Sequence, residues 1–314
     1  REKLVKMLYE RAPDGLDKVF LLSTGAEAAE NCIKLARTWG RKIKDSKKII
    51  VSFQNAFHGR TLAAQLAGGM PKLKSWIGNS DPSFVQAPFP DGYKNENCSF
   101  SLFEESLKKQ DVNPDDAAGV ISETYQGVGP DFMPVEYAQS LRKWCDKHGA
   151  LLIFDEVQSG FGRTGKYWGF EHYGIVPDLI ACGKGISGAM PLSAVIGRTE
   201  IMDLYAPGSM TSTHSGNPIC VACAIANLEI IDEEKLVENS ARLGKILYDG
   251  CVKIQKKYPQ VLGRVCGGKG LVAGILTVKK GTKEPNPELA MKINESAVRK
   301  GLMMFAPVGV AGED

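Results

Sequence analysis

Leu151-Leu152-Ile153-Phe154-Asp155-Glu156-Val157-Gln158 is an apolar run that ends in two acids, and Ala181-Cys182-Gly183-Lys184-Gly185-Ile186 follows it along the chain. A lysine ordinarily keeps its amine in water at the end of a solvated stem. Lys184 instead sits in an apolar, glycine-flanked stretch downstream of a carboxylate that closes a hydrophobic strand. Desolvation lowers a lysine pKa and frees the amine to attack a carbonyl carbon. The two segments therefore predict a reactive amine and a buried acid at one end of a sheet.

Working outward, short apolar runs alternate with amphipathic ones, which predicts an α/β fold. Residues 48–53, 118–123, 150–156, 178–182 and 192–197 read as strands covered on both faces, each bounded by Gly, Pro or charge. Residues 26–41 form a helical pattern with Ala29, Ile33, Ala36 and Gly40 near one face. Residues 134–148 open on a proline suited to a first turn and close at Gly149, suited to a C-cap. From about residue 217 the texture changes to a long apolar helix, a charged amphipathic stretch at 233–257, a Gly/Val-rich stretch at 261–278 and a helix at 287–300. The expectation is a large domain over 1–225 and a smaller α+β domain over 226–314. The chain starts at Arg1 and stops just after the apolar segment 302–307, so both ends read as truncated.

Composition narrows the class. With 43% hydrophobic and 24% charged residues the chain is an ordinary globular one, and a net charge of +3 singles out no partner. No basic run alternates with aromatics, which leaves nucleic-acid binding without support. No apolar stretch is long enough to span a bilayer and no signal peptide is seen, so no membrane association is expected. The 8 cysteines lie mostly in apolar runs and read as buried residues of a reducing compartment, the cytoplasm. Cys220-Val-Ala-Cys223 has no second cysteine pair or histidine pair to complete a zinc site, and no metal is expected.

Several segments carry chemistry. Gly183-Lys184-Gly185-Ile186-Ser187-Gly188 matches a dinucleotide fingerprint literally. That fingerprint needs a helix opening at its third glycine, and Pro191 with the strand-like run behind it argues against one. A better anion site is Thr24-Gly25-Ala26-Glu27, where Thr24 and Glu27 have capping-box spacing and the amides of Gly25 and Ala26 would face outward. Taken alone, this segment reads first as a simple capped helix. Phe57-His58-Gly59-Arg60 sets an aromatic face, an imidazole and a guanidinium in one loop. The ring could stack on a flat heterocycle, and the guanidinium could grip a carboxylate. Asp155 at a strand end could pair with a protonated ring nitrogen, with Val157 on the ring face and Gln158 at a ring oxygen. The polar loop 212–218 could bind phosphate or merely cap the helix that follows.

Taken together, the segments 23–30, 57–61, 123–127, 154–165, 183–185 and 212–218 resemble, in order and spacing, the class III (ω-amino acid) aminotransferases. This family has the aspartate-aminotransferase-like, type I fold of pyridoxal-phosphate enzymes, and the resemblance covers nearly the whole chain. It implies pyridoxal 5'-phosphate as cofactor, amino and oxo acids as substrates, and a homodimer with shared active sites. By the same resemblance Lys184 is similar to the Schiff-base lysine that also shuttles a proton, and Asp155 to the pyridinium partner. Val157 and Phe57 match the residues sandwiching the ring, with His58 beside them and Gln158 near the 3-hydroxyl. Gly25 and Ala26 match phosphate-binding amides, Thr213 a phosphate ligand donated by the other subunit, and Glu123 an acid beside the ring. Arg60 matches an arginine that binds a substrate carboxylate.

The pattern departs from the family at one site. Many members carry a glutamate where this chain has Val128, in Glu123-Thr124-Tyr125-Gln126-Gly127-Val128. That glutamate gates a second arginine, whose position would lie beyond Asp314. The resemblance implies transfer of an amino group from a 4-aminobutyrate-like donor to 2-oxoglutarate. Alanine with glyoxylate or pyruvate, and racemase or aminomutase activity, are the alternatives.

Overall fold

In the computed structural model, which describes residues 1–79 and 81–304, a seven-stranded mixed sheet carries most of the chain. Its strands are β1 (Lys18–Leu22), β2 (Ile49–Phe53), β3 (Phe84–Ala87), β4 (Ala117–Glu123), β5 (Leu151–Asp155), β6 (Leu179–Cys182) and β7 (Ser193–Gly197). They are ordered β1-β7-β6-β5-β4-β2-β3. The run from β3 to β6 is parallel, and β7 is antiparallel to both of its neighbours. Every residue of β4, β5, β6 and β7 is buried, the expected state of strands with helices on both faces.

Side-chain alternation assigns each strand residue to one of two cores. Ile153 joins Ala28, Cys32, Ile33 and Ala36 of the helix Gly25–Ile43 on one face. Leu152 and Phe154 join Leu141 and Trp144 of the helix Val135–His148 on the other. Gly149 caps that helix at φ +60°, while Pro134 occupies the N-cap position rather than the first turn.

The five expected strands are present, four trimmed by a residue or two and β4 one residue longer at its start. Two strands have no counterpart in the sequence reading, β1 and β3. Both are short, of five and four residues, and lie at the two edges of the sheet. After β7, the helices Pro218–Glu233 and Leu236–Lys257 lead to a two-stranded antiparallel sheet of β8 (Leu262–Gly267) and β9 (Ala273–Thr277) and the helix Pro287–Arg299. The apolar C-terminal segment passes outside the described residues at position 305. Among the described residues, no helix is long and apolar enough to cross a membrane.

This topology sets the site. Strand order reverses between β2 and β4, and ligands in open α/β sheets gather beyond the carboxyl ends at such a switch. The loop after β2, Glu123 at the end of β4, Asp155 at the end of β5 and Lys184 just past β6 all reach that edge. Leu22 pairs with Ser193, so β1 delivers Thr24 and the start of the helix Gly25–Ile43 to the same edge.

Candidate active site

Asp155 shares the face of Ile153, and its carboxylate meets His58: Nδ1 of His58 lies 2.8 Å from Oδ2 of Asp155, with both side chains buried. The Val157 amide donates to Oδ1 of Asp155 at 3.1 Å. Burial favours a neutral imidazole, but the hydrogen bond and charge of Asp155, with the charge of Glu123, outweigh it and raise the His58 pKa. Nε2 of His58 is buried and has no hydrogen-bond partner among the described residues.

Glu156 turns to the opposite face and has a different job. Its carboxylate accepts from the Thr124 hydroxyl and from the amides of Gly169 at 2.6 Å and Phe170 at 3.2 Å, pinning the turn Gly169–Tyr173 beneath the sheet. Glu123 completes the acidic edge. Its two oxygens accept from the amides of Phe57 at 2.9 Å and Gly127 at 3.0 Å, so it ties the loop after β2 to the loop after β4. Burial pushes Glu123 up to about 7, opposed by His58 and reinforced by Asp155.

The helix N-terminus is built as the sequence predicts. Thr24 Oγ1 accepts from the Glu27 amide at 3.2 Å, and Glu27 Oε2 accepts from the amides of Ser23 and Thr24 at 2.8 and 3.0 Å. The first-turn amides of Gly25 and Ala26 have no intrahelical acceptor and sit at the positive end of the helix. Two close approaches bring this end into the site. A Cβ on Gly25 would stand 2.8 Å from Cγ1 of Val157, and one on Gly59 would stand 2.6 Å from Cβ of Ala26. The first contact sets Val157 against the helix start, and the second sets the Phe57–Arg60 loop there. Ser193, which the sequence reading does not single out, donates its hydroxyl to the Thr24 carbonyl at 2.6 Å.

Lys184 Nζ donates to Oε1 of Gln158 at 2.9 Å. A Cβ on Gly127 would lie 3.2 Å from the same Gln158 oxygen and 3.1 Å from Glu123, so amine, amide and acid share one neighbourhood. One sequence expectation is corrected here. Lys184 is exposed, not desolvated. Its neighbours Gly183 and Ile186 are buried, but Lys184 itself takes a left-handed φ of +37° in the turn Lys184–Ile186, which carries its side chain into solvent. Short apolar flanks in sequence report the burial of the flanks, not of the residue between them. No helix opens at Gly188, so the fingerprint Gly183–Gly188 is a turn followed by β7.

Phe57 is half-buried, and the exposed Arg60 guanidinium stands 5.9 Å from its ring centre. Gly25, Ala26, Phe57, His58, Glu123, Asp155, Val157, Gln158 and Lys184 thus come together from five separate stretches of chain, with Arg60 on the rim. Thr213 is not brought in. It is exposed in the turn ahead of the helix Pro218–Glu233, and no hydrogen bond joins it to the others among the described residues. No group of three or more metal-ligating side chains occurs among the described residues.

Comparison with known proteins adds four findings. The family model for class-III aminotransferases matches residues 1–310. A 5-aminovalerate aminotransferase of Pseudomonas putida is 36% identical over 97% of this chain and 71% of its own length. A 4-aminobutyrate aminotransferase of Escherichia coli is 34% identical over the same shares. Among solved structures, the ω-transaminase of Pseudomonas jessenii in complex with PMP superposes with a TM-score of 0.88 at 29% identity, covering 97% of this chain and 72% of that one.

Proposed function

The chain belongs to the class-III aminotransferases, and on that premise we propose that it moves the terminal amino group of an ω-amino acid to a 2-oxo acid such as 2-oxoglutarate, with pyridoxal phosphate seated against Asp155 and Lys184. The observation that carries the reading is an amine and an acid brought to the same carboxyl edge of the sheet. An amine, Lys184 Nζ on Gln158, is reachable by solvent, and an acid, Asp155 on His58, is buried.

The residues present fit the cofactor. The free amides of Gly25 and Ala26 suit a phosphate dianion. The imidazole behind Asp155 holds its carboxylate in place for a cationic ring nitrogen. Phe57 and Val157 offer apolar surfaces for a flat ring, and Glu123 and Gln158 offer polar edges. Bound there, pyridoxal phosphate supplies a carbonyl that condenses with amines and a cationic ring that draws off electrons. Lys184 Nζ holds the group between turnovers. With the cofactor bound, the same Nζ would be the base that takes the proton from the substrate carbon bearing nitrogen and the acid that returns it. The exposed guanidinium of Arg60, on the rim, would meet the carboxylate at the other end of a linear ω-amino acid. Thr213 is proposed to serve the site of a partner protomer in a homodimer.

Relatives named for 4-aminobutyrate and for the homologue one carbon longer, 5-aminovalerate, support a linear donor. A panel of both with 2-oxoglutarate, alongside alanine with glyoxylate, tests the assignment. Turnover with a linear ω-amino acid, abolished by Lys184→Ala, is expected. Turnover with alanine and glyoxylate alone, inversion of an amino acid without oxo product, or steady-state turnover by Lys184→Ala contradicts it.

A further inference from the structure

The turn that carries Lys184 is held from behind by a residue far along the chain. Asn227, on the helix Pro218–Glu233, donates its side-chain amide to the carbonyl of Gly185 at 2.7 Å and, at the longer distance of 3.4 Å, to that of Ile186. The backbone then wraps past the same side chain. Gly188, at φ +71°, comes so near that a Cβ there would stand 3.1 Å from Oδ1 of Asn227. One amide therefore touches the chain on both sides of Ser187.

The turn needs an external hold. A residue with a Cβ disfavours left-handed backbone, and such a conformation persists only where the surroundings fix it. Lys184 has a φ of +37°. Inside the turn, the Ile186 amide reaches the Gly183 carbonyl at 3.0 Å, but the Ser187 amide reaches the Lys184 carbonyl only at 3.4 Å. Phe161 packs beneath the turn, where a Cβ on Gly185 would meet its ring at 3.2 Å, yet this apolar contact does not set the direction of the carbonyls. Asn227 is the donor that does, and it is borne on a helix of 16 residues.

We propose that Asn227 is a positioning residue for Lys184. It locks the left-handed turn so that the amine leaves from a fixed point each time its side chain swings between its held and released states. The proposal rests on the reading of Lys184 as the reacting amine. A misplacement of about 1 Å at a reacting group costs roughly a hundredfold in rate, so a slackened turn is expected to appear in kcat and not in substrate binding.

The test compares Asn227→Ala, Asn227→Asp and, one helical turn earlier, Cys223→Ser in the full chain. An ionised Asp has the shape of Asn but no hydrogen to donate. The expected result is a fall in kcat of roughly ten- to a hundredfold for both Asn227 variants, with KM for the amino donor within about twofold. Amide hydrogen exchange in the apoprotein is expected to quicken at residues 185–187 and not along the helix, and Cys223→Ser is expected to change neither measurement. Wild-type kcat with unchanged exchange in Asn227→Ala overturns the proposal. So does an Asp variant that matches wild type, which would make shape the whole effect. So does faster exchange along the entire helix with kcat and KM changing together, which would make the role structural. Lys184→Ala, run alongside, separates the two readings. If it turns over, the assignment of the amine fails, while exchange in the apoprotein still reports the hold of Asn227 on the turn.

Discussion

The Nδ1 atom of His58 stands 2.8 Å from Oδ2 of Asp155, the two side chains are buried, and the second ring nitrogen of His58 has no partner among the described residues. Among the described residues, Asp155 is the hydrogen-bond partner of the imidazole. A hydrogen bond to a charged group contributes about 1.5–3 kcal/mol, so removing it should weaken cofactor binding roughly tenfold to a hundredfold. Equilibrium dialysis of His58→Ala against pyridoxal phosphate measures this directly. Affinity within about twofold of wild type would mean that Asp155 needs no support.

The contact between Gly25 and Val157 gives a paired prediction. A methyl at position 25 would stand 2.8 and 3.0 Å from the two Val157 methyl carbons, closer than real side chains come. Gly25→Ala should therefore push Val157 off the helix start and weaken phosphate binding by more than about tenfold, since anion sites at helix ends depend on close approach. The double variant Gly25→Ala/Val157→Ala has room for the methyl and should recover most of the loss. A double variant no better than Gly25→Ala would show that the crowding lies elsewhere.

The capping box yields a stability prediction. Thr24→Ala removes the acceptor for the Glu27 amide and should cost about 1 kcal/mol, read as a lower urea midpoint of the apoprotein at unchanged slope. An unchanged midpoint would mean that Glu27, through its bonds to the Ser23 and Thr24 amides, caps the helix unaided.

A pH dependence follows from Glu156. Burial lifts it from the ordinary 4.5 to about 7, against the opposing hydrogen bond of Thr124 and the other donors. Between those values the folded chain binds a proton that the unfolded chain has already released. The stability contribution is thus complete below the unfolded value and is lost as pH rises through the folded one, a fall of about 3 kcal/mol. Glu156→Gln does not titrate. Its urea midpoint in the apoprotein should drop less than that of wild type between about pH 5 and about pH 8. Glu123, also lifted to about 7, leaves a residual slope in both proteins. Equal slopes would contradict the burial argument.

Where the sequence was legible, the reason is physical. The runs that became β4, β5 and β6 are buried on both faces, so their apolar character is continuous and shows through. Thr24 and Glu27 form a local motif that needs no tertiary information. Edge strand β1, with only two of its five residues buried, has no counterpart in the sequence reading, although it delivers Thr24 and the start of the helix Gly25–Ile43 to the site. The partnership of His58 with Asp155, the packing of Phe161 under Gly185 and the grip of Asn227 on the Lys184 turn join distant stretches of chain. No spacing rule reports them. The exposure of Lys184 was misread because the burial of its neighbours was taken for its own.

The central claim is that Lys184 is the amine that holds the cofactor. Borohydride treatment of the pyridoxal-phosphate-loaded protein, followed by peptide mass mapping, tests it most directly. A pyridoxyl group fixed on Lys184 and absent from Lys184→Ala is the expected result. A group fixed on any other lysine, or one that persists in Lys184→Ala, would contradict the account.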